Sequence, residues 1–431
     1  MRLVDGGPAL VDRYFGPITE TAELRLGGTE PRWWLCSTQL ARYPVGALFT
    51  PAPAGGAGTS IDAAEARGRA VGEAFERYSA LNCSLPTVSA TLREGGLLER
   101  WPRCAPDEPC PPSLRAFPAD SALTHVEARS LAGGQAVLVP AGFVLLSPQL
   151  PAAEPLVTPP ISTGLAFHQH LHEAIWRGLC EVVERDAIMT LWWIHRPAPR
   201  IDVESPQVPY PVAERIMRLR RAGFEPELFD ITTEIAIPTV FCVLRAPRYP
   251  HLVVGAATRG DAGLACAKAL DEVVAMRVVL QPSAASGQAG SDTAAPGDPA
   301  SGRVTGLLEQ ARLYAREARA PALEFLSRPG TDMIPYASFN SRSVTPPADQ
   351  DSLSHFAAIL ERRTAITILW ADVTCPEVAA FGSVVRVIVP ELVPLSSADN
   401  IRWLGTERLL VRAGVKNASR ASFFDGPHPF G

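Results

Sequence analysis

Apolar positions recur at the three- and four-residue spacing of a helix over residues 62–82 and again over 169–195. Thr59 or Ser60 would cap the first of these helices, and Asp62 and Glu65 suit its positive N-terminal end. Further helical patterns run over 212–222, 263–280, 306–318 and 352–363. Short apolar runs read as strands at 33–36, 136–140, 142–146, 225–229, 237–244, 252–256, 365–372 and 383–389. Residues 51–58 form a Gly/Pro/Ala loop, and 101–120 are Pro-rich and irregular. The stretch 283–302 holds almost no large apolar residue, so it cannot offset its own ordering entropy and reads as a mobile insertion or linker.

The polar positions of the two long helices repeat. Arg69, Glu73, Glu76 and Arg77 in the first recur as Arg177, Glu181, Glu184 and Arg185 in the second, 108 residues later. Such a match suggests two related halves facing each other. At about 100° per residue, Glu173, Arg177, Glu181, Glu184 and Arg185 share one stripe of the second helix. Almost everything else on that helix is apolar, including Trp176, Trp192 and Trp193. A helix apolar over most of its surface belongs in a core, which places the acidic stripe inside the molecule.

Buried carboxylates cost several kcal/mol each unless something compensates them. The stripe arginines help, but the two helices bring five glutamates, an excess that favours divalent cations. Oxygen ligands favour Mg²⁺, and carboxylate-bound Mg²⁺ commonly also binds substrate phosphates. The residues therefore point to a metal-bridged nucleotide, with arginines on phosphate oxygens. Two plainer readings stay open at this stage: a solvated face with ion pairs one turn apart, and a buried salt-bridge network without metal.

Composition narrows the setting. The chain has 431 residues, 47% hydrophobic and 20% charged, with a formal charge of −5, as expected of a globular protein with a large core. No dense Lys/Arg block suggests nucleic acid. No apolar run reaches the roughly 20 residues a membrane span needs, and the first residues lack a signal-peptide core. The expected location is the cytoplasm. The eight cysteines form no C-x-x-C pair and read as reduced, mostly buried thiols. Cys104 and Cys110 are the one spacing that admits a zinc site, without nearby partners to complete it.

The paired helices resemble the two signature helices of the YcaO family. The resemblance runs from about residue 55 to 394. Gly56-Ala57-Gly58 and Ser162-Thr163-Gly164 stand where the family has turns before its two helices. Ala269-Leu270-Asp271-Glu272 with Arg277 is similar to its third element, and Arg386 to Pro390 to its late strand. The resemblance implies an α+β fold, with pseudo-duplicated β-sheets packed with helices around a central ATP/Mg site. It divides the chain into an N-terminal segment (1–54), a YcaO domain (55–395) and a C-terminal extension (396–431). It also implies that Glu73, Glu76, Glu173, Glu181 and Glu184 hold Mg²⁺. Arg77, Arg185 and Arg277 would help place the nucleotide, and Arg69, Ser162, Gln169, Arg177 and Glu272 complete the cofactor-binding set. Arg69, Gln169, Arg177 and Ala275 depart from the serine, asparagine and glutamines common in the family at those positions.

Azoline-forming members often end in a Pro-rich tail that reaches the active site. Pro427-His428-Pro429-Phe430-Gly431 is similar, which makes His428, Pro429 and Gly431 catalytic candidates and His428 an acid/base. The plain alternative is an ordinary disordered terminus. The resemblance implies an ATP-dependent cyclodehydratase that converts Cys, Ser or Thr of a ribosomal precursor peptide to thiazolines or oxazolines through amide phosphorylation. A separate ThiF-like or leader-peptide-binding protein would deliver the peptide, and a homodimer is compatible with it. Competing readings are a YcaO enzyme that forms a thioamide or a macrocyclic amidine, and a non-catalytic paralogue that serves as a docking scaffold.

Overall fold

The computed structural model describes residues 11–12, 16–41, 55–115, 119–146, 154–281, 306–328, 331–397 and 400–430. The expected insertion at 283–302 and the terminal Gly431 lie outside the described residues. The chain opens with β1 (Ile18–Arg25), β2 (Trp34–Leu40), β3 (Ala57–Ser60) and α1 (Ala63–Asn82). Next come β4 (Thr87–Thr91), α2 (Pro112–Arg115), β5 (Ala122–Ser130), β6 (Ala136–Pro140), β7 (Leu165–His168) and α3 (Leu171–Ile194). A middle section holds β8 (Arg200–Asp202), α4 (Tyr210–Arg221), β9 (Glu225–Asp230), β10 (Thr239–Arg245), β11 (Leu252–Thr258) and α5 (Ala262–Leu280). The rest comprises α6 (Leu307–Tyr314), β12 (Met333–Pro335), α7 (Tyr336–Asn340), α8 (Gln350–Thr364), β13 (Leu369–Asp372), α9 (Pro376–Ala379), β14 (Ser383–Ile388) and α10 (Glu407–Ala413).

The strands make three sheets: β1-β2-β3, β11-β10-β9-β8-β12, and β4-β5-β13-β14-β7 with β6 on the flank of β5. Helix α3 is buried on almost every side, as its all-round apolar pattern requires. Its first half packs Ile175, Leu179 and Val183 with Val385 and Val387 of β14. Its second half packs Ile188, Trp192 and Trp193 with Phe229 and Phe241 of the second sheet and with Phe430 of the tail. Helix α1 puts Phe75 against Phe167 of β7, ring centroids 4.9 Å apart. Strand β7 thus stands beside both signature helices.

The repeat extends beyond the charged positions. β3 and β7, and the first residues of α1 and α3, are separated by the same offset as the glutamates. Gly56 and Gly164 also correspond, and each permits a close backbone approach. A Cβ on Gly56 would fall 2.0 Å from the Ala70 carbonyl oxygen of α1. One on Gly164, whose φ is +85°, would fall 2.2 Å from the Val387 oxygen of β14. Each half is therefore a glycine, a short strand and a helix, and Glu76 of the first helix reaches the Phe167 N–H of the second half's strand.

Local differences from the expected elements have simple causes. Asp62, not Thr59 or Ser60, caps α1, accepting the Glu65 N–H at 2.8 Å. Ala57 and Gly58 belong to β3, not to a loop, because β2 pairs with them. The run 142–146 is not a strand: Ala141–Phe143 turn in a 3₁₀ segment, and Phe143, Val144 and Leu145 fill the core under α1. β13 starts only at Leu369, since Ala365 ends α8 in the left-handed region at φ 56°. All eight cysteines are free and buried, and no three metal-ligating side chains gather around Cys104 and Cys110 among the described residues.

Candidate active site

Glu76 of α1 and Glu181 and Glu184 of α3 face a common interior. Each is held by one backbone donor from an adjoining strand or turn. Glu76 accepts the Phe167 N–H of β7 at 2.9 Å, Glu184 the Thr258 N–H of β11 at 3.0 Å, and Glu181 the Gly164 N–H at 3.4 Å. Burial pushes Glu76 up to about 8; Glu181 and Glu73 add to the shift, and the Phe167 N–H opposes it. Burial likewise raises Glu181 and Glu184, with Arg185 pulling against it in both. Glu181 nevertheless keeps 28% of its side-chain exposure and Glu184 only 10%. The stripe thus lines an interior cleft, deep at Glu184 and open toward Glu173 and Arg177, the latter being exposed. The expectation of a stripe sealed inside the molecule holds only for its C-terminal end.

Two guanidinium groups reach this interior with donors unused. Arg185 bridges Glu181 and Glu184 loosely, at 3.7 and 3.6 Å, and its buried Nε finds no acceptor. Arg386 of β14 donates Nε to the Phe143 carbonyl at 3.0 Å, while its buried Nη1 has no partner. Burial lowers Arg386 to about 10, and the nearby Glu181 carboxylate opposes that shift. Arg386 was read from the sequence only as part of a late strand. Its place beside the cleft has no local signature, because the pairing of β14 with β7 and its packing against α3 are what put it there.

The remaining expected residues divide sharply. Glu73 accepts the Ala57 N–H at 2.8 Å and pairs with Arg77, whose Nη1 also donates to the Gly55 carbonyl at 2.8 Å. Both stay part-exposed at the rim. Glu272 of α5 pairs with Lys268. Burial works against its charge, but Lys268, Arg69 and Arg185 together hold its pKa below the usual carboxylate value. Arg69 is engaged with the Thr59 carbonyl, Glu65 and Asp271. Asp271 is a buried node missed as a functional position: it also accepts Arg215 Nε and Trp33 Nε1, both at 2.8 Å. It fastens α5 to α1, α4 and β2's approach. Ser162 and Gln169 are exposed, and Glu173 is half-buried at the start of α3.

Arg277 is a correction. It lies at the far end of α5, over the Phe224 ring, where Glu30 accepts from Nε and Nη2 at 2.7 and 2.9 Å. The Pro250 and Tyr249 carbonyls take further donors. With its fork occupied there, it offers no free donor to a nucleotide in this arrangement.

The tail is folded, not frayed. The Pro427 carbonyl accepts the Tyr314 hydroxyl at 2.6 Å, His428 is fully buried, and Phe430 packs on Phe241. Pro429 is buried between them. His428 Nε2 donates to the Ser396 carbonyl at 2.7 Å, and Nδ1 accepts the Phe430 N–H at 3.2 Å. Burial lowers its pKa to about 4, and Arg185 and Arg402 add to that. A buried imidazole with both nitrogens committed in this way argues against the acid/base role expected of His428. Arg185 nevertheless links the tail electrostatically to the acidic cleft.

These features suit a nucleotide with Mg²⁺. Raised carboxylates want a cation, and the unused donors of Arg185 and Arg386 want an anion beside it. Among the described residues no three acidic, histidine or cysteine side chains close around one point. Mg²⁺ tolerates that, because it usually keeps waters and takes one or two carboxylates plus phosphate oxygens. Glu76, Glu181 and Glu184 would supply the carboxylates.

Fold and site together define an α+β protein with an acidic, arginine-flanked cleft between two duplicated strand–helix units. The chain belongs to the YcaO family: the profile described as YcaO cyclodehydratase, ATP- and Mg²⁺-binding, matches residues 57–393. Its cofactors are accordingly ATP and Mg²⁺. An uncharacterised protein of Methanothermobacter thermautotrophicus is 30% identical over 240 residues, 51% of this chain. A Rhizobium leguminosarum protein encoded in the tfuA 3′ region is 29% identical over 313 residues, 68% of this chain. The chain spans 56% and 64% of the lengths of these relatives.

Solved structures share the fold. A heterocyclase in complex with substrate and cofactor has a TM-score of 0.73 at 19% identity, covering 98% of this chain and 56% of its own. The YcaO protein of Methanopyrus kandleri bound with AMPPCP and Mg²⁺ has 0.57 at 20%, covering 89% and 88%. The Escherichia coli microcin synthetase McbBCD complex with pro-MccB17 bound has 0.58 at 16%, covering 86% and 88%. No helix among the described residues is long and apolar enough to cross a membrane.

Proposed function

We propose that this chain is the cyclodehydratase subunit of a system that matures a ribosomal precursor peptide. The observation that carries the reading is the meeting of Glu76, Glu181 and Glu184 with the unused donors of Arg185 and Arg386. Mg²⁺ bound there would draw negative charge from the nucleotide phosphates. Arg185 and Arg386 hold phosphate oxygens, Glu73 and Arg77 fix the rim, and Glu272 steadies Lys268. Glu173 is a metal ligand at the outer end of the stripe.

The reaction class is the one the family resemblance implies. The thiol or hydroxyl of a Cys, Ser or Thr adds to the preceding backbone carbonyl. The resulting oxygen takes the terminal phosphoryl group of ATP, ADP departs, and the oxygen leaves as phosphate. The added sulfur or oxygen and the nitrogen each give up a proton, leaving a thiazoline or oxazoline. Phosphorylation converts a poor leaving oxygen into a good one, and the guanidiniums stabilise the charge it carries. The buried tail shapes the wall of the site near Arg185. A separate leader-binding protein delivers the peptide, a reading supported by likeness to the microcin synthetase McbBCD complex with pro-MccB17 bound.

The test is incubation of the full chain with ATP, Mg²⁺, candidate precursor peptide and its delivery protein. Loss of one water mass per Cys, Ser or Thr is expected. Replacement of an amide oxygen by sulfur when sulfide is supplied would assign thioamide formation instead. No mass change and no ATP use would leave a docking scaffold.

A further inference from the structure

The face of α3 turned away from the acidic stripe carries a single carboxylate, Asp186. Asp186, Met189 and Trp193 fall within about 60° of one another round the helix, while Glu181 and Glu184 lie roughly 140–160° from Asp186. The C-terminal extension runs along this back face. The Val393 N–H donates to Asp186 Oδ1 at 3.0 Å, the Ser396 N–H to the Met189 sulfur at 3.5 Å, and the Phe424 N–H to the Trp193 carbonyl at 2.9 Å. The Ser396 carbonyl in turn accepts His428 Nε2 at 2.7 Å, and the His428 ring meets Trp193 edge-on, centroids 6.3 Å apart. Asp186 is fully buried and also takes Arg408 of α10. Arg408 Nε lies 3.0 Å from both carboxylate oxygens, and Nη2 3.0 Å from Oδ2. Arg408 and Arg412 reach Glu234 with their other nitrogens, at 2.6 and 3.4 Å.

We propose that Asp186 is a positioning residue, which fixes the register in which the C-terminal extension docks on α3. Met189 and Trp193 are apolar and would accept a chain segment at several settings along the helix. A carboxylate shut away from water accepts only the setting that brings it its donors, because an unmatched buried charge costs far more than a shifted apolar contact. Packing alone would be served as well by an apolar residue at 186, so what the buried ion pair adds is register. Segment 393–396 is the relay. Asp186 holds its first N–H, and its last carbonyl holds His428. The tail is thereby set at one height along the helix that presents the acidic cleft on its other side. The consequence for turnover rests on the cyclodehydratase reading above, in which the tail shapes a wall of the site; the docking itself does not.

The test is hydrogen–deuterium exchange on the full chain and on its Asp186→Asn and Arg408→Gln variants. The amides of Phe424, His428 and Phe430 report the tail, since the Trp193 carbonyl, Gln310 and His428 accept them. Their exchange is expected to rise about tenfold in either variant, while α1 and β10 keep their protection. Arg408→Lys should restore part of that protection, since the charge survives without the fork. Unchanged tail exchange overturns the proposal. So does an equal rise over the whole chain, which would make Asp186 a stabilising residue only. If Asp186→Asn does not fold, Arg408→Gln gives the same readout from α10. With ATP, Mg²⁺ and peptide, kcat of the variants should fall about tenfold at an unchanged half-saturating ATP concentration, because the carboxylates of the cleft are untouched. An opened tail with unchanged kcat overturns the positioning role. If the unaltered chain modifies no peptide, it is the cyclodehydratase reading that fails, and the exchange result still decides the docking.

Discussion

Arg386 and Glu181 face each other from β14 and α3 within electrostatic reach, yet form no ion pair among the described residues. Arg386 keeps an unpartnered Nη1 and Glu181 lines the cleft, so each can meet a group of opposite charge. Mg²⁺ on the carboxylate and a phosphate on the guanidinium satisfy both. Glu181→Gln should therefore abolish the Mg²⁺ dependence of ATP binding, and unchanged binding would remove the metal reading. Arg386→Gln should weaken Mg-nucleotide binding by about 1.5–3 kcal/mol, the worth of a charge-assisted hydrogen bond. Both are measured by titration calorimetry.

Glu76 makes the cleft pH-sensitive. Its pKa is raised from 4.5 to about 8, so between those values the folded chain holds a proton that the unfolded chain has lost. The ligand-free protein then loses stability as pH rises through this window. Metal binding has the opposite sign, because Mg²⁺ needs the carboxylate. Binding at pH 7 should release about one proton and tighten toward pH 8. Equal heats in buffers of different ionisation enthalpy would contradict this. Glu76→Gln should raise the melting temperature at pH 8 without Mg²⁺, and should remove the proton release.

The carboxylates were legible because charge interrupts a helical apolar pattern, and that pattern is local. α1 and α3 follow their expected spans to within a residue or two at each end. Arg386 and Asp271 were not legible as site residues, since each acquires its place from a partner far along the chain. Asp271 meets Arg69 and Trp33, and Arg386 meets the Phe143 carbonyl. Arg277 misled for the same reason: it stands on the same helix as Glu272 but five residues on, about 140° round it, and the chain around Glu30 and Pro250 closes over it. The run 142–146 misled because a short apolar segment buries equally well as a turn.

Asp271 should be the most stability-sensitive acid near the cleft. It is 1% exposed and balances Arg215, itself 4% exposed, as well as Arg69. Asp271→Asn removes the buried counter-charge the two guanidiniums share and leaves the half-exposed Glu65 alone to balance them, at a cost of about 3–5 kcal/mol. Urea unfolding measures it. A loss below about 1 kcal/mol, the range of an exposed pair, would mean that water compensates the arginines.

The tail prediction changes once its burial is known. Removing residues 427–431 takes away the Tyr314 contact, the buried His428 and the Phe430 side chain at 5% exposure. Deletion should therefore abolish cyclisation and also destabilise the fold, so activity alone is ambiguous. Phe430→Ala isolates packing, with an expected cost of about 3–5 kcal/mol. His428→Gln isolates the ring: a side-chain amide can still donate to the Ser396 carbonyl. Because the imidazole is held neutral by burial, with a pKa near 4, turnover should keep its pH profile between 5.5 and 7.5 in that variant. A hundredfold fall in kcat at an unchanged melting temperature would restore His428 as a proton carrier. A matched loss of stability and activity would place it, as its two hydrogen bonds do, in the wall that positions the tail against Arg185.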